Sequence, residues 1–319
     1  MNDRIDGLPD IDQIRDAAAR IAPYARVTPI MHSDVLDDLT GAELHFKCEH
    51  LQRGGAFKFR GACNAVWALS DVQAAHGVVT HSSGNHGNAL ALAAATRGIA
   101  AHVVVPEGAV QAKVEAIKRA RAILHRCAPT QAAREAKCAE VQRRTGAELV
   151  HPYADSRVMA GQGTVALELL QQAPGLDTLL TPVGGGGLAS GVAIAARALN
   201  PDIALFGAEP QGADDAAQSL VRGERVMDVV PDTLCDGLRA LIGIPNLAAL
   251  RRHQVQVISV SDAETVAAMQ LIWTELKQVV EMSSATVLAA ILKQPERFAG
   301  RRVGVVITGG NVDLQALPW

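Results

Sequence analysis

The sequence predicts an α/β protein with parallel sheets and helices on both faces. Short β-rich runs alternate along it with Ala- and Leu-rich helical stretches. Several of the runs are apolar throughout and bounded by Gly or Pro, the pattern of strands buried on both faces. Alternation at this spacing requires crossover connections, which lay helices over the sheet. In chain order, strands are expected at 43–47, 78–81, 102–105, 149–151, 178–182, 203–209, 255–259 and 303–307, and the main helices at 58–69, 85–97, 130–144, 156–172, 188–199 and 262–280. In such sheets ligands bind beyond the carboxyl ends of the strands. Three loops in that position are rich in glycine: 82–87, 184–187 and 308–311.

Composition narrows the class of function. A chain of 319 residues has room for two domains, and the sequence carries no repeat, low-complexity tract or Ser/Gly linker to mark a boundary. With 49% hydrophobic and 20% charged residues and 28 Gly, it is neither disordered nor a disulfide scaffold. Lys and Arg (30) nearly balance Asp and Glu (33), leaving a net charge of -3. That balance gives no electrostatic footprint for nucleic acid or an anionic membrane, so a small-molecule partner is expected. Cys48, Cys63, Cys127, Cys138 and Cys235 contain no C-x-x-C pair and read as reduced thiols. The acidic N-terminus lacks the apolar stretch of a signal peptide, and the long uncharged run at 178–196 is interrupted by Pro182 and five glycines, so it is not a spanning helix. A cytoplasmic location is expected.

The run Gly184, Gly185, Gly186, Gly187 lies between a predicted strand and a predicted helix. Without side chains, its backbone can wrap an anion, and its N–H groups with the helix N-terminus can hold a phosphate. Gly184, Gly186 and Ala189 also fit the dinucleotide pattern, and Glu209 ends the next strand where a ribose-binding acid would stand. The glycines alone leave both readings open.

Two further segments bear on the choice. Lys58 sits among Ala56, Phe57 and Phe59 with glycines on either side. Apolar surroundings disfavour the charged amine and suit it to a Schiff base with an aldehyde cofactor. The second segment, Ser82, Ser83, Gly84, Asn85, His86, Gly87, opens a helix, and its hydroxyls, amide and free N–H groups can cradle a carboxylate.

Together with HPY, AGQGT, PVGGGGLASG, AEPQGADDAAQS, CDGL and TGGNVD, the segments GAFKFRGACNAV and SSGNHG resemble the fold type II pyridoxal-phosphate enzymes, specifically the serine/threonine dehydratase and serine racemase family. The likeness runs in family order from about Thr28 to Asp313. It implies a tryptophan synthase β-like fold with two open twisted, mostly parallel sheets. The larger domain would comprise residues 1–53 and 154–319, and the smaller one 54–153, carrying the carboxylate loop. It further implies a homodimer.

The resemblance also implies roles. Lys58 would carry pyridoxal phosphate as a Schiff base, and Gly184, Gly185, Gly186, Gly187 and Leu188 would hold its phosphate. Asn85 would reach the phenolic oxygen, Phe57 would pack beside the ring, and Thr308 would face the pyridine nitrogen. Ser82, Ser83, Gly84, Asn85 and His86 would hold the substrate carboxylate, and Ser83 is the position that serves racemases as a second base. A hydroxyl at Thr308 makes the ring a weaker electron sink than a carboxylate would, which favours β-elimination over transamination. Glu209, Ala213 and Asp215 match the segment that holds Mg²⁺ or Ca²⁺ in metal-dependent members, a set of hard oxygen donors.

The implied activity is a dehydratase of the L-serine or L-threonine type. A racemase, or a dehydratase of 3-hydroxyaspartate or phenylserine, is the alternative, and a nicotinamide-dependent dehydrogenase a distant one. Two departures touch the substrate side: Tyr153 after His-Pro, and Glu281-Met282-Ser283-Ser284 where the family often has Glu-Pro. Trp319 follows soon after TGGNVD, so no C-terminal regulatory domain is expected.

Overall fold

The computed structural model describes residues 7–109 and 111–319, the side chain of Ala112 excepted. Its strands are β1 (Ile30–Met31), β2 (Glu43–Cys48), β3 (Val78–Thr80), β4 (Ala101–Pro106), β5 (Ile123–Cys127), β6 (Glu148–Leu149), β7 (Thr178–Pro182), β8 (Ala204–Pro210), β9 (Gln256–Val260) and β10 (Arg302–Ile307). They form a six-stranded sheet ordered β1-β2-β10-β7-β8-β9 and a four-stranded sheet ordered β5-β4-β3-β6. Among the described residues every strand pairing is parallel except that of β1 with β2. The four-stranded sheet is built from residues 78–149, inside the interval expected for the smaller domain.

The register explains where the loops go. Ile307 lies opposite Cys48, Val305 opposite Leu180, and Pro182 opposite Ala208. The loops after β2, β7, β8 and β10 therefore open on one edge of the larger sheet. Both faces of that sheet are covered. Leu179 and Val306 pack with Leu169, Val192 and Ala193 from the helices Ser156–Gln172 and Gly187–Leu199, and Leu180 and Val305 pack with Ile272 and Leu288 on the other side.

Three helices meet almost backbone to backbone. A Cβ at Gly161 would stand 2.6 Å from the Arg60 carbonyl oxygen, one at Gly61 2.7 Å from the Val158 oxygen, and one at Gly191 2.3 Å from the Met159 oxygen. The helix beginning at Lys58 and the helix beginning at the glycine run are thus both docked on Ser156–Gln172.

Differences from the expected elements are local. β1 and β5 were not anticipated: β1 is two residues long, and β5 is an edge strand, ILHRC, with little apolar signature. The expected helix 262–280 stops at Glu275, because Lys277 adopts a left-handed φ of 55°, and a new helix runs over Met282–Lys293. The five cysteines are buried and unpaired. Among the described residues no helix is long and apolar enough to cross a membrane.

Candidate active site

Lys58 is the first residue of the helix Lys58–Trp67, and the turn before it is pinned to the end of β10. The Phe57 N–H donates to the Thr308 carbonyl at 2.9 Å, and Ala56 bridges to Gly309. Lys58 Nζ donates to the Pro152 carbonyl at 3.0 Å and lies 5.0 Å from the centre of the Phe57 ring. Its dense surroundings desolvate the amine and bring its pKa down to about 8, against a smaller opposing pull from the Glu281 charge. Part of the lysine population is therefore free amine, hence nucleophilic, near neutral pH.

The glycine run follows β7 and leads into the helix Gly187–Leu199, with Gly186 at a φ of 87° that favours glycine. A Cβ at Gly185 would enter the Tyr153 ring at 2.4 Å, and one at Gly186 would meet Ile242 Cδ1 at 2.4 Å. Among the described residues no acceptor meets the N–H groups of Gly184, Gly185, Gly187 and Leu188. Buried donors without partners in a cradle free of side chains fit an anionic group such as the phosphate of pyridoxal phosphate, and the nearby Lys58 fits its aldehyde.

The loop after β3 supplies the other wall. At Gly87 a Cβ would stand 1.9 Å from the Ser82 carbonyl oxygen, so this turn accepts glycine alone. Ser82, Ser83, Gly84 and Asn85 are partly exposed, while His86 is buried. His86 Nε2 stands 3.2 Å from the Val150 carbonyl and so carries the ring proton as donor, leaving Nδ1 without a partner. Burial and the neighbouring Lys58 charge hold the ring well below the usual histidine range. His151 is also neutral, at about 4, its Nδ1 accepting from the Tyr153 and Ala154 N–H groups. Beside Asn85 opens a cavity of about 300 Å³ lined by Gly84, Asn85, Asn88, Lys113, Arg119 and Asn311, among others.

Thr308 is buried, and its hydroxyl lies 2.9 Å from that of Ser284, which also accepts from the Gly309 N–H at 2.7 Å. Among the described residues, a hydroxyl pair with no carboxylate hydrogen-bonded to it stands at this position. Ser284 and Glu281 belong to the segment that departs from Glu-Pro, and the sequence reading gave neither of them a role. Nor did it assign one to Asn311, although TGGNVD marked the loop.

Glu209 and Asp215 are buried at the end of β8 and the start of the helix Asp215–Arg222. Glu209 accepts from the N–H groups of Ala216 (3.1 Å) and Ala217 (2.9 Å), and Asp215 from that of Ile242 (2.7 Å). Burial raises both, Asp215 to about 6, and the Asp215 charge lifts Glu209 further. Glu209 thus caps a helix, which leaves the dinucleotide reading without its ribose-binding acid. Two buried carboxylates this close, with the Ala213 carbonyl in the intervening turn, fit a hard cation by their donor chemistry. Among the described residues no group of three or more His, Cys, Asp and Glu side chains forms a metal cluster. Such an ion would stand near the phosphate cradle, because Ile242 serves both Asp215 and Gly186.

Residues 21–309 match the family model for pyridoxal-phosphate dependent enzymes. The chain belongs to this family, and its cofactor is pyridoxal phosphate. Over 314 residues it is 49% identical to the beta-hydroxyaspartate dehydratase of Paracoccus denitrificans (strain Pd 1222), covering 98% of this chain and 99% of that protein. The solved maize serine racemase superposes with a TM-score of 0.94 at 47% identity, covering 96% and 94% of the two chains. The processed form of threonine deaminase isoform 2 from Solanum lycopersicum superposes with a TM-score of 0.88 at 28% identity, over 97% and 92%.

Proposed function

We propose that the protein removes water from a β-hydroxy amino acid by β-elimination, and that the released unsaturated amine takes up water to give a 2-oxo acid and ammonia. L-serine, L-threonine and 3-hydroxyaspartate are the substrates to test, the last favoured by the dehydratase relative at 49% identity. The observation that carries the reading is the desolvated Lys58 amine, opposite a Gly-rich phosphate cradle and beside a hydroxyl pair at Thr308.

Pyridoxal phosphate, when bound, supplies the electron sink that makes a Cα proton removable. The chain's own residues do the rest. The N–H groups of Gly184, Gly185, Gly187 and Leu188 and the helix N-terminus bind the phosphate. Asn85 takes the phenolic oxygen, and Phe57 packs beside the ring. Ser82, Ser83 and the loop N–H groups through Asn85 orient the substrate carboxylate. His86 supports that loop from beneath, because its Nε2 proton is committed to Val150. Lys58 Nζ, as a free amine, would accept the Cα proton. Thr308 and Ser284, as hydroxyls, provide no carboxylate to fix a proton on the ring nitrogen, which favours prompt loss of a β-substituent. Glu209, Asp215 and the Ala213 carbonyl would hold Mg²⁺ or Ca²⁺ in a structural or activating role.

A panel of β-hydroxy amino acids, read by release of 2-oxo acid, tests this. Wild type should turn over at least one of them, and Lys58→Ala should lose both the visible cofactor band and all product. Turnover by Lys58→Ala would refute the assignment. A second reading, racemisation with Ser83 as the opposing base, is favoured by the likeness to maize serine racemase. Chiral analysis of the residual substrate separates the two: if racemisation operates, Ser83→Ala abolishes it more completely than elimination.

A further inference from the structure

Three side chains from three segments meet at the mouth of the cleft, and one backbone carbonyl fixes how all of them are turned. The Gly54 carbonyl can only accept, so Asn311 presents its Nδ2 to it at 2.8 Å. That Nδ2 also reaches Asn85 Oδ1 at 2.9 Å. The Asn85 amide nitrogen therefore faces the other way, 3.0 and 3.1 Å from the two carboxyl oxygens of Glu281. Each orientation follows from the one before it.

Glu281 is placed unusually for its position. It precedes the helix Met282–Lys293 as N-cap residue, yet its side chain makes no capping bond and reaches across to the helix that starts at Asn85. It is only 5% exposed, and among the described residues no Lys or Arg stands in ion-pair distance of it. A Cβ at Gly309 would come within 2.5 Å of its Oε1, so the loop after β10 needs glycine to admit it. The charged groups that face it are Lys58, Asp236 and Lys113, the last two paired with each other.

We propose that Glu281 is a positioning residue, holding the Asn85 amide in one orientation across the cleft. The inference rests on the role proposed above for Asn85 toward the cofactor. Its physical basis is the cost of an unpaired buried charge. Burial, reinforced by Asp236, pushes the carboxyl up to about 7, against the amide of Asn85, the Asn311 N–H and Lys113. As pH rises through that value Glu281 becomes negative and strengthens the hold of Lys58 on its proton. Glutamine at 281 still accepts a hydrogen bond from Asn85 but cannot titrate.

The test compares wild-type holoenzyme with Glu281→Gln, Glu281→Ala and Asn85→Ala. It reads the cofactor dissociation constant at neutral pH and the pH titration of the visible cofactor band. Glu281→Ala and Asn85→Ala should each weaken cofactor binding about tenfold, the equivalent of one hydrogen bond. Glu281→Gln should stay within about threefold of wild type, because its amide oxygen preserves that bond, and should flatten the titration of the band across neutral pH. A Glu281 that only packs would give identical titrations in wild type and Glu281→Gln, and that result overturns the inference. Wild-type affinity in Asn85→Ala removes the role of Asn85 and the inference with it. Weakened binding in Asn85→Ala but not in Glu281→Ala leaves Asn85 in place and overturns the inference alone.

Discussion

Arg60, two residues beyond Lys58, is fully buried and forks onto two carboxylates. Its Nε and Nη2 reach Glu49 at 2.7 and 2.8 Å, and its Nη1 and Nη2 reach Glu168 at 2.7 and 2.8 Å. Lys47, equally buried, adds a bond to Glu168 at 2.8 Å. Two cations and two anions cancel, and the doubly bidentate guanidinium fixes the geometry. Removing Arg60 leaves the buried Glu49 without a cation while Glu168 keeps Lys47, so Arg60→Ala should lose about 3–5 kcal/mol of stability, measured by denaturant unfolding. Lys58 carries a different prediction, because its amine must be uncharged to attack an aldehyde. Reloading of the apoprotein with cofactor should accelerate as pH rises through about 8, followed as growth of the visible band. A reloading rate independent of pH in this range would refute it. At this scale the segments around Lys58, the glycine run and Asn85 stand out in the sequence because glycines, hydroxyls and amides cluster there in an order that few structural turns need. Glu281 does not: its meaning lies in a side chain turned away from the helix it precedes, and no local pattern encodes that.

At the scale of elements, the two glycines of AGQGT, together with Gly61 and Gly191, serve less to touch ligand than to let helices approach. Gly61, Gly161, Gly163 and Gly191 line the crossings of the three helices, where an added Cβ would meet backbone atoms. Backbone cannot rotate out of the way, so the helices would have to separate. Gly191→Ala should therefore cost about 1–3 kcal/mol, as overpacking does, and should weaken cofactor binding if the glycine run at the start of that helix holds the phosphate as proposed. Thermal melts and equilibrium dialysis check the two effects, and unchanged cofactor affinity in a destabilised variant would show that the cradle does not depend on this crossing. Strands buried on both faces, such as β4 and β10, were legible from the apolar runs VVVP and VGVVI. β5 was not, because an edge strand exposes part of ILHRC, and the end of the helix at Glu275 depends on a left-handed Lys277, a conformation for which the residue type gives no sign.

For the whole molecule, the parallel topology collects the loops after β2, β7, β8 and β10 on one sheet edge, and the smaller sheet presents the Asn85 loop opposite them. Contacts that span the cleft include Asn85 with Glu281 and the ion pair of Lys113 with Asp236. The acid pair at Glu209 and Asp215 is joined to the glycine run at 184–187 through Ile242. A cation bound there would favour the folded state by mass action, contributing about 2.7 kcal/mol at a free concentration a hundredfold above its dissociation constant. Adding Mg²⁺ or Ca²⁺ should raise the melting temperature of the wild-type protein by several degrees. Asp215→Asn keeps an oxygen to accept from the Ile242 N–H and removes a carboxylate that burial already disfavours. It should melt at or above the ion-free wild type and show no shift with either ion. A wild-type protein whose melting is indifferent to both ions would mean that the two carboxylates only cap and brace the turn at 211–215.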